Sequence, residues 1–152
     1  MMDTFRKSVE FQPICITPNV GGDRYFSERS VTEVFAPHAC LMQNIAHGRV
    51  TGEYGRPPEL DTLTGVALLK RQLAVDIENV GFKIIDMSFQ IRLNQGARYV
   101  YPQATIEYCG PMGADLMLNI DQVVFVPRML VDNGGTIHAI SRIITWDAVL
   151  QS

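Results

Sequence analysis

Two carboxylates, Glu59 and Asp61, stand at the start of the most strongly periodic stretch of the chain. A carboxylate beside the free N–H groups of a helix start has the parts for carbonyl chemistry. The amides and the helix dipole polarise a carbonyl oxygen, and the carboxylate activates water or attacks directly. Asp61 is the first candidate and Glu59 the second. Acidic residues are also favoured in a first helical turn by the dipole alone, and that structural role is the commoner one. His47 is a candidate general base, although the alternation over 45–54 puts it on the polar side with Arg49, Thr51 and Glu53, where a solvated histidine is the default. Tyr54, on the opposite side with Val50 and Gly52, could donate a hydrogen bond to a carbonyl or serve as a core tyrosine. His38 beside Pro37, and His138 among apolar neighbours, read as structural.

The element that must position these groups is residues 58–81. Leu60, Leu63, Val66, Ala67, Leu73, Ala74, Ile77 and Val80 recur at three- and four-residue steps, the period of one helix face. Pro57 and Pro58 mark its start and Gly81 its stop. About 22 helical residues would span roughly 33 Å, long for a small domain. After it the period becomes two. Ile85, Met87, Phe89, Ile91 and Leu93 alternate with polar residues, which predicts a half-buried strand over 84–93. Further strands are expected over 99–108, with Pro102 at an edge or bulge, over 116–126, and over 136–146, with a turn at 132–135. The last has two apolar faces, so it is central or covered by another subunit. Before the helix, Gly48 and Gly52 suggest close backbone approach to it. Ser30 and Glu33 match a capping box opening a short helix that runs to Ala36.

Composition narrows the function. The 152 residues suit one domain, with 1–40 as an N-terminal extension holding the short helix and 45–147 as the core. A net charge of −3 does not invite nucleic acid or an anionic membrane. Cys15, Cys40 and Cys109 are scattered, with no CxxC spacing, which argues against a zinc site or disulfide framework. Reduced thiols and the lack of an apolar leader or a spanning segment fit a cytoplasmic protein. The methionines are read as fillers of an apolar interior, and a Met-lined pocket would suit an acyl chain.

A strand, one long helix and an antiparallel meander resemble the hotdog fold of acyl-thioester enzymes, over residues 45–147. Leu63-Thr64-Gly65-Val66-Ala67-Leu68-Leu69 is similar to the glycine-containing helix start of the dehydratase branch. Lys70 stands where that branch has its catalytic glutamate and Arg56 where it has histidine, so dehydration is disfavoured. The resemblance implies an α+β, hotdog-like domain whose central helix, about 58–81, is wrapped by an antiparallel sheet. It implies acyl-thioester binding, with thioesterase hydrolysis of acyl-CoA or acyl carrier protein as its enzymatic form. The alternative is a non-catalytic hotdog-like ligand-binding or regulatory protein. It further implies catalytic roles for Asp61, Glu59 and His47, and substrate contacts from Tyr54, Thr62, Thr64 and Gly65. Arg98 and Arg128 are candidates for the phosphates of a coenzyme tail. No cofactor or metal is expected, and a homodimer or larger homo-oligomer is.

Overall fold

A computed structural model describes residues 5–132 and 137–151. The strands are β1 (Arg6–Glu10), β2 (Ile14–Cys15), β3 (Thr51–Glu53), β4 (Val80–Asn94), β5 (Ala97–Tyr108), β6 (Val123–Asp132) and β7 (Ala139–Leu150). The helices are α1 (Glu28–Val34), α2 (Cys40–Ala46), α3 (Glu59–Thr62), α4 (Gly65–Leu73) and α5 (Gly113–Leu118). One antiparallel sheet runs β1-β5-β4-β3, with β2 also on β5, and β6 pairs β7 in a second. Two edge contacts join them. The Gly55 N–H donates to the Ala148 carbonyl at 2.7 Å, and the Gln12 N–H donates to the Phe125 carbonyl at 2.9 Å. The strands therefore follow one another around a ring: β5, β4, β3, β7, β6, and back to the β1–β2 link. At β6 the ring closes through the Gln12–Phe125 bond, so the edge of β6 beyond Phe125 stays open.

The ring is filled by aromatic side chains. The Phe11 ring lies tilted at 4.7 Å from Trp146 and 4.9 Å from Phe125, and Phe82 meets Phe125 edge-on at 5.1 Å. All four are buried. Offset and edge-to-face pairs of this kind add about 0.5–1.5 kcal/mol beyond the area they bury. Helix α1 lies on β7 and α2 on β4, burying Val31, Leu41 and Ile45. Ser27 caps α1, its hydroxyl accepting the Ser30 N–H at 3.2 Å, so the cap falls three residues before the expected box.

There is no long central helix, and the fold is not of hotdog type. The 58–81 stretch is cut where Leu63 and Thr64 adopt extended backbone and Gly65 turns at φ +61°, and it is extended again at Ala74. Neither α3 nor α4 buries a residue. Val66 and Ile77, two members of the expected inward face, are 70% and 79% exposed. The helical period is real, but its face is not packed on the sheet. Tertiary closure of the strands supplies the core without it. Gly81, expected as a helix stop, belongs to β4.

The strands differ in detail. A bulge between Ile84 and Asp86 shifts the phase of β4, so Phe82 and Ile84 face inward before it and Met87 after it. Residues 116–120 are not strand: Leu116 is a buried residue of α5, and a 3-10 turn at Ile120–Gln122 precedes β6. Pro102 sits in a central strand without harm, because β5 changes partner there. Gln103 pairs Glu10 of β1 and Val100 pairs Ile14 of β2, leaving a gap where proline's missing N–H is not needed. Both faces of β7 are covered within one chain, since Thr145, Trp146, Asp147 and Ala148 are all buried. The expected turn at 132–135 and the strand start at Thr136 lie at least partly outside the described residues. No helix among the described residues is long and apolar enough to cross a membrane.

Gly52 does approach a neighbour closely, but the neighbour is the barrel interior. A Cβ there would overlap the Phe82 ring and the Trp146 carbonyl. Gly48 has open space and φ +68°. Gly52→Ala should therefore lower the unfolding free energy by about 2–3 kcal/mol, and Gly48→Ala by about 1 kcal/mol. Urea denaturation of the two variants checks the order; equal losses would mean that β3 is not wedged against Phe82.

Candidate functional site

Where β3, β6 and β7 meet, three charges are taken out of water: Glu53, Arg128 and Asp147 are each no more than 3% exposed. Each lies in a strand, and each needs a partner there because an isolated buried charge is prohibitively costly. Arg128 uses all five of its N–H groups. Nε and Nη2 bind the Asp147 carboxylate at 3.1 and 2.6 Å, and Nη2 also donates to Glu53 Oε2 at 2.8 Å. Nη1 donates to the Ala74 carbonyl at 2.7 Å and to the Arg71 carbonyl at 3.5 Å. Glu53 takes two more bonds from Arg71, at 2.8 and 2.9 Å, and one from the Asp76 N–H at 3.1 Å.

The cluster is neutral, with two carboxylates against two guanidiniums, and each carboxylate oxygen accepts at least one hydrogen bond. Burial pushes the Glu53 carboxyl up, but the bonds from Arg71, Arg128 and Asp76 together outweigh it and hold the group below its ordinary value. At Asp147 burial wins over the pull of Arg128, and the carboxyl is raised. Paired in this way, and out of contact with solvent, the cluster orders backbone.

Beside it an open groove of about 520 Å³ follows the outer edge of β6. Its walls are β6 from Val126 to Val131 on one side and Arg56, Leu60 and Gln72 on the other, with Gln12 and Arg24 at one end. A second hollow of about 340 Å³ shares Gln12, Arg24, Pro127 and Met129 and continues to Cys15 and Tyr99. Beyond Phe125, no backbone hydrogen bond from another segment reaches this edge among the described residues. The first hollow's lining includes no Ser, Thr, Cys or His among the described residues.

The residues singled out from sequence do not form one site. Asp61 is exposed and paired end to end with Arg56, at 3.0 and 3.2 Å, which holds its carboxyl below the ordinary range. Glu59 lies 3.8 Å from Arg71 Nε with its side chain half exposed. His47 ends α2, its Nδ1 2.7 Å from the Gln43 carbonyl of its own helix. Tyr54 is half-buried, its N–H donating to the Asn79 carbonyl. The Thr62 hydroxyl donates to the Pro58 carbonyl at 3.4 Å. Thr64 precedes α4 without a side-chain cap, and Gly65 is exposed. Arg98 pairs with Glu28 at 2.6 Å. Arg128, read as a loop-edge cation for phosphates, is instead the buried centre of the cluster. A signal for it was present: Val-Val-Phe-Val-Pro-Arg-Met-Leu-Val and Ile-Ile-Thr-Trp-Asp-Ala-Val each carry one charge in an apolar strand, of opposite sign.

The family model described as Peptidase S80 family matches residues 16–152. No curated protein and no solved structure matches the chain. The family match overturns the resemblance to acyl-thioester enzymes. Thioester binding or hydrolysis, and the hotdog-like ligand-binding alternative, fall with it.

Glu53→Gln leaves two buried guanidiniums facing one carboxylate, and should cost about 3–5 kcal/mol of stability. Arg128→Lys should not rescue the site, because an ammonium cannot reproduce the two-pronged contact. Asp61→Asn should leave the unfolding midpoint unchanged. The pH dependence has a definite sign. Folded Glu53 resists a proton that the unfolded chain accepts near 4.5, so its contribution is full above that pH and is lost as pH falls through the lower folded value. Asp147 slopes the opposite way. The difference between wild type and Glu53→Gln in denaturant midpoints from pH 7 to pH 3 isolates the Glu53 share and should shrink on acidification; a constant difference would show that Glu53 is not held as an anion.

Proposed function

We propose, from the premise that the chain belongs to the Peptidase S80 family, that it works on polypeptide and receives it in extended form along the outer edge of β6. The observation that carries this is the run of β6 past Phe125, which borders an open groove and has no backbone partner among the described residues. An edge of this kind binds an extended segment by main-chain hydrogen bonds, with alternate side chains entering flanking pockets. Here one set would meet Leu60, Met129 and Val131, and the groove joins the second hollow toward Cys15 and Tyr99. Pro127 interrupts the row of donors on β6 and so restricts which registers a bound strand can take.

Recognition of the chain is the part of a peptidase's work that this geometry supports. The paired cluster beneath the groove offers rigidity, and the first hollow's lining offers apolar contacts, amides and guanidiniums.

Fluorescence anisotropy against a panel of labelled ten-residue peptides, with mass spectrometry of each mixture after overnight incubation, tests the reading. Saturable binding is expected, weakened about 5- to 30-fold in Leu60→Ala or Met129→Ala, as loss of one apolar contact of roughly 1–2 kcal/mol requires. Binding followed by a single cut would extend the reading to hydrolysis by groups outside the first hollow. No binding across the panel, or binding indifferent to both substitutions, would overturn it.

A further inference from the structure

The wall of the groove opposite β6 is not part of the barrel. Residues 56–79 leave β3 and return at β4, and of these only Pro57 is buried. Leu68, Arg71 and Gln72 turn partly inward from α4, while Val66, Leu69 and Leu73 face solvent. A segment with so little buried apolar surface needs another tether. The polar contacts that hold residues 58–76 to the rest of the described chain converge on two side chains. Glu53 holds Arg71 and the Asp76 N–H; Arg128 holds the Ala74 and Arg71 carbonyls. The two contacts between Arg56 and Asp61 brace the segment internally and do not reach the barrel.

We infer that residues 56–79 form a lid over the β6 edge, latched by Arg71 on Glu53 and lifted to admit the polypeptide. This rests on the reading of the groove as a polypeptide site and supplies its regulation. The geometry suits a lid in three respects. The segment supplies groove-lining residues, Arg56, Leu60 and Gln72, so its position sets the groove's width. Its first joint is Gly55 at φ +98°, and Gly65 at φ +61° separates its two helices, both at conformations open to glycine and strained for other residues. Residues 74–76 are extended and held to the barrel at the Ala74 carbonyl and the Asp76 N–H, and at the segment's far end the Asn79 carbonyl accepts the Tyr54 N–H at 2.9 Å, next to the first joint. The latch also touches the site it guards: Arg128, which holds the lid's backbone, is a residue of β6 itself. A strand that pairs with β6 and shifts it would act on the latch directly, and a closed lid would hold a bound strand in place.

Arg71→Gln removes the latch from the lid's side and leaves Glu53 bound by Arg128, so the barrel keeps its buried pair. Lys70→Gln, one position away and exposed, removes the same charge without touching the latch. Hydrogen–deuterium exchange is followed in both variants and wild type, without any peptide. Arg71→Gln should speed exchange of the amides in 65–76 about tenfold or more beyond any change shared by β4 and β5, whose amides report only the global loss of stability; Lys70→Gln should change neither. Equal acceleration of lid and barrel in Arg71→Gln would overturn the proposal, since the segment would then be part of the core. No acceleration, or the same acceleration in Lys70→Gln, would overturn it as well. Because this measurement needs no ligand, it separates from the groove reading. A latch that opens as expected in a protein that binds no peptide keeps the lid and discards its occupant.

Discussion

Arg128 is a permanent charge placed where water does not reach it, and the surrounding structure follows from satisfying it. A guanidinium cannot lose its proton at any relevant pH, so five donors must find acceptors within the fold. Two come from Asp147 on β7, two residues along from Thr145, the register partner of Arg128. One comes from Glu53 on β3, in the other sheet, and two from carbonyls at the end of α4. One side chain thus fixes the spacing between sheets and the seat of the segment that carries α3 and α4. A hydrophobic replacement of equal volume could be as stable. What the ionic version adds is geometry, because the acceptors are few and directional, and a slipped register of β6 would strand a charge.

The barrel and the cluster divide the work. Phe11, Phe82, Phe125 and Trp146 exclude water from the ring, which is what makes the nearby charges strongly interacting. Gly52 is the point where both demands meet. It must be small to let β3 lie against Phe82 and the Trp146 backbone, and that approach carries its neighbour Glu53 to Arg128. The opposite side of β6 is left over once β7, Gln12 and the cluster have taken their share. Edges are usually blunted in single domains; Pro127 blunts this one only in part, and the groove beside it keeps the remainder accessible.

The sequence made some of this legible and misdirected the reader elsewhere. Alternation over 85–93 marked a real strand, since β4 has solvent on one face for much of its length, but the bulge after Ile84 altered which residues face in. The stretch 116–126, expected as one strand, begins as helix and gives way to strand only past Gln122. The 58–81 stretch misled because periodicity reports a capacity to bury one face, not a partner that buries it. Leu63-Thr64-Gly65 breaks the helix by backbone conformation, which the spacing of leucines does not register. The hotdog resemblance depended on that helix and could not outlast it. Asp61 and Glu59 drew notice for their place at a helix start, yet there they meet arginines of the same segment. Glu53 was passed over as a polar-side residue of the alternating stretch, Arg128 was taken for a cation at a loop edge, and Asp147 lay just past the end of the expected last strand. Pairing charges of opposite sign across apolar strands would have found them.

That misreading has a physical lesson for the groove. An apolar helix face that packs on nothing in its own chain, carried on a segment tethered by two polar side chains, is an expensive thing to maintain in water. Val66 and Ile77 have little to lose when the segment moves as a body, since they are 70% and 79% exposed where it is seated. The energetic difference between seated and lifted states is then the latch, a handful of hydrogen bonds to charged groups each worth about 1.5–3 kcal/mol net, plus the modest apolar contact of Pro57, Leu60, Leu68 and Val75. Rehydration of Arg71 and of the freed carbonyls offsets much of that on opening. Such a balance keeps the segment closed in the resting protein while leaving it responsive to whatever pairs with β6, because the same guanidinium serves both.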